Sequence, residues 1–179
     1  MSLPLILEAL DTHGAWEHTH TLRRGDFLCQ AGDRSVQLWY VTNGTLRLYI
    51  DVEGTEQCIR FGYPGDLVAA LDSYIKGEPT QFYVQALRQC EVRQVSRTAF
   101  RAFIDADPER GRWWQGVMSS MIYSQLEREV DLLLPSPEAR YRRVLARSPR
   151  LFQEIPAKYI ANYLRMTPET LSRLKRAAP

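Results

Sequence analysis

Ile160-Ala161-Asn162-Tyr163-Leu164-Arg165-Met166-Thr167-Pro168-Glu169-Thr170-Leu171-Ser172-Arg173 is the stretch on which the reading of this chain turns. Two short helical patterns, over 156–164 and 168–176, are joined by Arg165-Met166-Thr167, and Thr167 is placed to cap the second. Ile160, Ala161 and Leu164 share the inward side of the first pattern, Leu171 and Leu174 that of the second. Ala161 is small where two helices cross closely. A three-residue connection between crossed helices predicts a helix-turn-helix. Glu169, Thr170, Ser172, Arg173 and Arg176 are left outward, on the part of the second helix that meets base edges when such a unit docks on DNA.

The charge around this stretch agrees. From Glu138 to Pro179 ten Lys/Arg face three acids, a net of +7, whereas residues 1–137 carry 13 bases and 18 acids, a net of −5. A basic module on an acidic body points to an anionic partner such as double-stranded DNA; a solvated basic face is the plainer alternative. Upstream, Ser136-Pro137-Glu138 opens a helix that runs through Arg147 and stops at Ser148-Pro149. Pro135-Ser136-Pro137 breaks the preceding helix and predicts a hinge between domains.

That preceding helix is long, from about Pro108 to Leu134, after a short one over 98–106. Trp114, Met118, Met121, Gln125, Arg128 and Leu132 follow heptad-like spacing, with Val117, Ile122 and Leu133 widening the stripe. The stripe predicts a homodimer seam over Trp114, Val117, Met118, Met121 and Gln125; a helix packed only on its own β-domain is the alternative.

Residues 16–97 read as short antiparallel strands of a small sandwich or barrel. Runs at 36–41 and 46–50 flank Asn43-Gly44, a type I′ hairpin signal, and a second reversal sits at Glu53-Gly54. Further strands follow at 57–61, 82–87 and 91–95.

Length and composition set the outer bounds. The chain has 179 residues, 45% hydrophobic and 25% charged. These figures exclude a disordered, collagen-like or disulfide-scaffold protein. No apolar run approaches the roughly 20 residues of a membrane span, and the apolar stretch at the N-terminus stops at Glu8 without a basic leader. Cys29, Cys58 and Cys90 are dispersed, fitting neither a metal nor an iron–sulfur site and suiting reduced thiols in the cytoplasm. His13, His18 and His20 all precede the main strands, so the ligand set of a cupin-type metalloenzyme is missing. With no nucleophile–base pair and no phosphate-cradling glycine loop, the residues predict no catalytic site, no metal and no enzyme.

The helix-turn-helix residues quoted above closely resemble those of the cyclic-AMP receptor protein/fumarate-nitrate regulator (Crp/Fnr) family of bacterial transcriptional regulators. Leu22-Arg23-Arg24-Gly25-Asp26, Ala31-Gly32-Asp33, Tyr40-Val41-Thr42-Asn43-Gly44 and Pro64-Gly65-Asp66 resemble that family's β-roll turns. The resemblance spans about residues 16–176. It implies an α+β fold: an N-terminal antiparallel, cupin-like β-roll of the cyclic-nucleotide-binding type, a long dimerisation helix, and a small helical DNA-binding domain. The corresponding bounds are 1–107, 108–134 and 135–179. Double-stranded DNA, a second copy of the chain, a small-molecule effector and RNA polymerase are the implied partners, with no role for a membrane.

Carried over residue by residue, Glu169, Ser172 and Arg173 match the family's base-reading positions. Lys158, Thr167, Thr170, Lys175 and Arg176 suit phosphates. Two departures stand out. Arg165 occupies the turn position where the family has Gly, and with the sequence ending at Pro179 the domain is expected to lack the hairpin wing. In the roll, the effector pocket falls on Gly65, Asp66, Leu67, Ala70, Thr80, Gln81 and Tyr83. Ala69-Ala70 stands where cyclic-nucleotide members have Gly-Glu, and Thr80 where they have the phosphate-binding Arg. These replacements argue against cyclic AMP and leave the effector unidentified and no cofactor assigned. Phe82, Tyr83, Tyr63 and Tyr74 could line an apolar pocket or simply pack the roll. The competing functional reading is a small-molecule-binding or protein-interaction module whose helix-turn-helix is vestigial.

Overall fold

The computed structural model describes residues 2–177; Met1, Ala178 and Pro179, at the outer ends of the expected domains, lie outside the described residues. The chain forms two compact units, Met1–Met118 and Ser119–Pro179.

The first unit opens with α1 (Leu3–Thr12), followed by β1 (His18–Leu22), β2 (Phe27–Cys29), β3 (Gln37–Asn43), β4 (Leu46–Val52), β5 (Thr55–Gly62) and β6 (Leu67–Val68). Then come α2 (Leu71–Lys76), β7 (Tyr83–Ala86), β8 (Cys90–Ser96), α3 (Arg97–Asp105) and the start of α4 (Pro108–Leu133). The strands make two four-stranded antiparallel sheets, ordered β1-β8-β3-β6 and β2-β7-β4-β5. Alternating side chains of both sheets, among them Trp39, Val41, Leu46, Leu48, Val84, Ala86 and Val92, form one apolar core. On the other face of β3 and β8, Leu38 and Val95 join Ile6 and Leu10 of α1 and Phe100, Phe103 and Ile104 of α3 in a second core. The apolar N-terminus is therefore an amphipathic helix that closes this second core.

The hairpin expected at Asn43-Gly44 does not form. β3 pairs with β8 and β4 with β7, so the chain crosses from one sheet to the other at this point. Gly44 serves a close approach instead: at φ +88, a Cβ there would lie 2.3 Å from the Gln89 carbonyl oxygen and 2.5 Å from Cys90 Sγ. The neighbouring Leu87 N–H donates to Thr45 O at 2.8 Å, tying the two crossings together. The two-residue hairpin is the second reversal. Val52 pairs with Thr55, and Glu53 (φ +53) and Gly54 (φ +79) supply the two positive φ angles that such a turn needs.

The second unit contains the rest of α4, then α5 (Pro137–Arg147), α6 (Pro149–Glu154), α7 (Ala157–Tyr163) and α8 (Pro168–Ala177). Ser136 caps α5 by accepting from Ala139 N–H, as the sequence predicts. The short α6, which places Leu151 in the core, was not legible in the sequence. Tyr141, Val144, Leu151, Ile155, Ile160, Ala161, Leu164 and Leu171 are buried here.

The residues of the seam read along α4 have different surroundings in the single chain. Trp114 packs edge-on against Phe100 in the first unit (centroids 4.9 Å apart), and Arg128 is buried against Tyr163 in the second. Val117, Met118 and Met121 are already half-buried in the single chain, and Gln125 is exposed. The apolar side chains that α4 leaves exposed are Ile122, Tyr123, Leu126, Val130 and Leu133. At 100° per residue, Ile122, Leu126, Val130 and Leu133 form a stripe about a third of a turn away from the heptad-like one.

Candidate nucleic-acid interface and the roll cassette

In α8, Leu171 is fully buried and Leu174 half-buried, which fixes how the helix rolls on its neighbours. Residues 169, 172, 173 and 176 share the opposite side, spaced three, four and seven apart. Glu169, Ser172, Arg173 and Arg176 are all exposed there. Thr167 Oγ1 accepts from Thr170 N–H at 3.2 Å and also meets Thr170 Oγ1 at 3.2 Å, so both threonines help form the helix start. Glu169 is drawn into the same cap. Its carboxyl lies below the ordinary range because its own backbone N–H, and then Thr167, stabilise the charged form. It remains an ionised acceptor at the mouth of the helix.

The ten cations of 138–179 divide into two groups. Arg142 and Arg150 pair with Glu138 and Glu154 along their own helices, Arg143 and Arg147 pair with Asp131, and Arg140 binds backbone carbonyls. Lys158, Arg165, Arg173, Lys175 and Arg176 are exposed and form no ion pair among the described residues. Lys158 leans on the Tyr159 ring at 4.6 Å, and Lys175 lies 5.9 Å from the Phe152 ring. The unpaired cations thus cluster on α7, the turn and α8, where a polyanion would gain from them. Arg165 adopts φ +55, a left-handed conformation in the place where a Gly would be unstrained.

The pocket residues expected in the roll take up several local roles. Gly65 (φ +98) and Asp66 build a turn: Gly65 N–H donates to Val41 O, and the Asp66 carboxylate accepts from Tyr63 N–H. Ala70 is fully buried in the roll core, while Leu67 is half-buried. Tyr83 belongs to the opposite face of β7 from Val84. It stacks on Tyr49 (4.8 Å, 11°) and meets Phe27 edge-on. Tyr74 packs in the helical core with residues of α1 and α3.

Thr80 and Gln81 do come together, around a residue that the sequence reading missed. The Asp72 carboxylate, at the start of α2, accepts from Thr80 Oγ1 at 2.7 Å, Gln81 N–H at 2.9 Å and Ser73 N–H at 2.7 Å. Thr80 is buried, and its hydroxyl also accepts from Phe82 N–H at 3.0 Å. Backbone bonds Gly32 N to Thr80 O and Thr80 N to Asp33 O, both 2.8 Å, fasten this segment to the loop after β2. The Asp72 carboxylate therefore takes up the Thr80 hydroxyl and the Gln81 N–H, and position 80 itself carries no guanidinium.

A second polar cluster was equally hidden. Arg47 is only 4% exposed, yet it makes two hydrogen bonds with Glu56 and two with Gln85 while lying 4.0 Å over the Tyr49 ring. It is a buried charge neutralised across three strands.

Comparison with known proteins places this geometry. Residues 19–107 match the cyclic nucleotide-binding domain family. The cAMP-activated global transcriptional regulator CRP of Salmonella typhimurium is 28% identical over 93 residues, which cover 51% of this chain and 44% of that protein. The match thus spans less than half of the curated relative. Patatin-like phospholipase domain-containing protein 6 of Mus musculus is 33% identical over 92 residues, covering 50% of this chain but 7% of that protein. Among solved structures, FixK2 from Bradyrhizobium japonicum superposes with a TM-score of 0.74 at 17% identity, covering 89% of this chain and 83% of the other. A CooA mutant from Carboxydothermus hydrogenoformans gives 0.76 at 16% identity, with 96% and 82% covered.

Proposed function

From a chain whose residues 19–107 belong to the cyclic nucleotide-binding domain family, and whose architecture is that of the Crp/Fnr regulators, we propose a homodimeric, sequence-specific DNA-binding transcription regulator. The observation that carries the proposal is the outward face of α8. Glu169, Ser172 and Arg173 stand exposed on its N-terminal half, bordered by Lys158, Arg165, Lys175 and Arg176.

The division of labour follows from chemistry. Arg173, free of partners among the described residues, offers a planar pair of donors to guanine O6 and N7. Glu169, held ionised by the helix start, accepts from a cytosine amino group, and Ser172 completes the base contacts. The surrounding cations and Thr167 and Thr170 bind phosphates and set register. The exposed stripe of Ile122, Leu126, Val130 and Leu133 supplies the apolar seam of a helix pair. Two recognition helices would then address half-sites about 34–36 Å apart on one side of the duplex.

The roll domain, on this reading, does not take cyclic AMP. A cyclic phosphate brought to Thr80 and Gln81 would meet the Asp72 carboxylate, an anion against an anion, with Thr80 standing where the family's arginine is expected. An effector that acts through the roll is chemically different, and the protein is not an enzyme.

Selection from a random duplex library, followed by fluorescence anisotropy at one fixed salt concentration, tests the assignment. A pseudo-palindromic site preferred at least about a thousandfold over scrambled DNA is the expected result. Equal affinity for all duplexes, or none, overturns it and favours the protein-interaction reading.

A further inference from the structure

The left-handed Arg165 and the proline-rich linker at 135–137 are held by one side chain. Arg140, on the first turn of α5, donates from Nε to Leu164 O at 2.9 Å and from Nη2 to Arg165 O at 3.1 Å. Its Nη1 donates to Leu134 O at 2.7 Å and to Pro135 O at 3.3 Å. Leu134 directly follows the end of α4, and Leu164 is the C-cap of α7. Carbonyls at helix C-termini lack intrahelical donors, and both ends carry partial negative charge. A guanidinium offers five donors in a fixed plane and keeps its charge, so it can serve two such ends at once. We propose that Arg140 is the positioning residue of the helix-turn-helix: a shared cap that makes a non-glycine turn tenable and ties that turn to the end of α4.

The proposal also changes the expected role of the linker. The prolines predict a swivel, but the chain on either side of them is clamped. Asp131, fully buried on α4, pairs with Arg143 at 2.8 Å and with Arg147, both on α5. Glu127 adds a 2.8 Å bond to Arg143. Arg128 donates to Tyr163 O at 2.9 Å, and its guanidinium lies 3.5 Å from the centre of the Tyr163 ring. The last turns of α4, α5 and the end of α7 thus form one charge-linked block, with Arg140 where the linker and the recognition turn meet. In this block the linker is a fixed corner, and the recognition helix inherits its orientation from α4.

The role in DNA reading rests on the function proposed above, but the positioning role is tested without DNA. Hydrogen–deuterium exchange on the full chain would follow the amides of Arg165 and Met166, which close the turn by bonding to Asn162 O and Ala161 O. R140A should speed their exchange on the order of ten- to a hundredfold, with the Leu171 amide on α8 much less affected. R165G removes the left-handed penalty, so R140A in an R165G background should speed turn exchange only about two- to threefold. Arg140→Lys retains the charge without the planar fork and should fall between wild type and R140A. Unchanged turn exchange in R140A, or the same acceleration with and without R165G, overturns the proposal. So does rescue by Lys to the wild-type rate, since charge alone would then suffice. If R140A loses the helical unit altogether, the Arg140→Lys and R165G pair decides on the same criteria. A protein that shows the coupling but has no preferred DNA site would retain the positioning role and lose the regulator assignment.

Discussion

Arg47 in the roll and Arg173 on α8 are both arginines in short, regular elements, yet their surroundings are opposite. Arg47 lies nearly buried, shared between Glu56 and Gln85 over an aromatic ring. Arg173 is exposed and unpaired among the described residues. The same contrast holds for whole regions. The cassette of the roll satisfies its donors with the carboxylate of Asp72, whereas the helix-turn-helix leaves a group of cations facing outward. Unsatisfied charge is affordable only where solvent or a partner meets it, and its concentration on one surface is what supports the proposed anion-binding role of that side.

The sharpest way to break this comparison is within the helical unit, where paired and unpaired charges sit side by side. Asp131→Ala leaves Arg143 and Arg147 without their buried partner. It should destabilise the second unit by about 3–5 kcal/mol, seen as an early calorimetric transition while the roll melts as before. A single unshifted transition would mean that the network contributes little. Next in size, Leu126→Glu places a carboxylate on the exposed apolar stripe. Sedimentation should show the proposed dimer weakened roughly a hundredfold, equivalent to about 3 kcal/mol. An unchanged dimer would instead favour the seam over Trp114, Val117, Met118, Met121 and Gln125.

Arg173→Ala should lower affinity for the selected site by about 1–3 kcal/mol and relax preference at one base pair. Lys158→Ala should instead weaken binding evenly on all sequences and reduce the salt slope by about 1. If the two variants behave alike, base reading and phosphate contact have been misassigned. In the roll, Asp72→Asn replaces an acceptor oxygen that faces the Gln81 N–H and should cost about 1–2 kcal/mol of thermal stability. DNA affinity should be unaffected.

The smallest effect concerns the thiols. Burial pushes the Cys29 pKa up to about 11 from its ordinary 9.0, so the folded state holds this proton more tightly than the unfolded one. The stability so gained is complete below about pH 9 and is lost as pH rises through about 11. Native protein should react slowly with a thiol reagent at neutral pH, since Cys29, Cys58 and Cys90 are all buried, and three equivalents should appear on denaturation.

Much of the helical unit was legible because its determinants are close in sequence. The Thr167 cap, the turn at Arg165 and the inward Ile160, Ala161, Leu164 and Leu171 all lie within a dozen residues. The strands of the roll were legible for the same reason, through their alternation, but their partners were not. Asn43-Gly44 carries the local signature of a hairpin and yet joins two different sheets, with β3 paired to β8 and β4 to β7 and β5. The stripe on α4 was legible as amphipathic, but the burial of Arg128 and Asp131 was not, since both look like surface residues until α5 and α7 bury them.

By itself, the sequence determined the main strands of the roll and the helices of the recognition unit apart from α6, where the recognition helix begins, and which side chains it presents. These follow from periodicity and capping over a few neighbouring residues. Only the tertiary structure decided that Asp72 closes the cassette, that Arg47 is a buried pair, and that Arg140 joins two helix ends. Asp72 lies eight residues from Thr80, Arg47 thirty-eight from Gln85, and Arg140 twenty-four from Leu164. A polar side chain's partner is set by which surfaces the fold brings within hydrogen-bond distance, and local pattern carries no record of that distance.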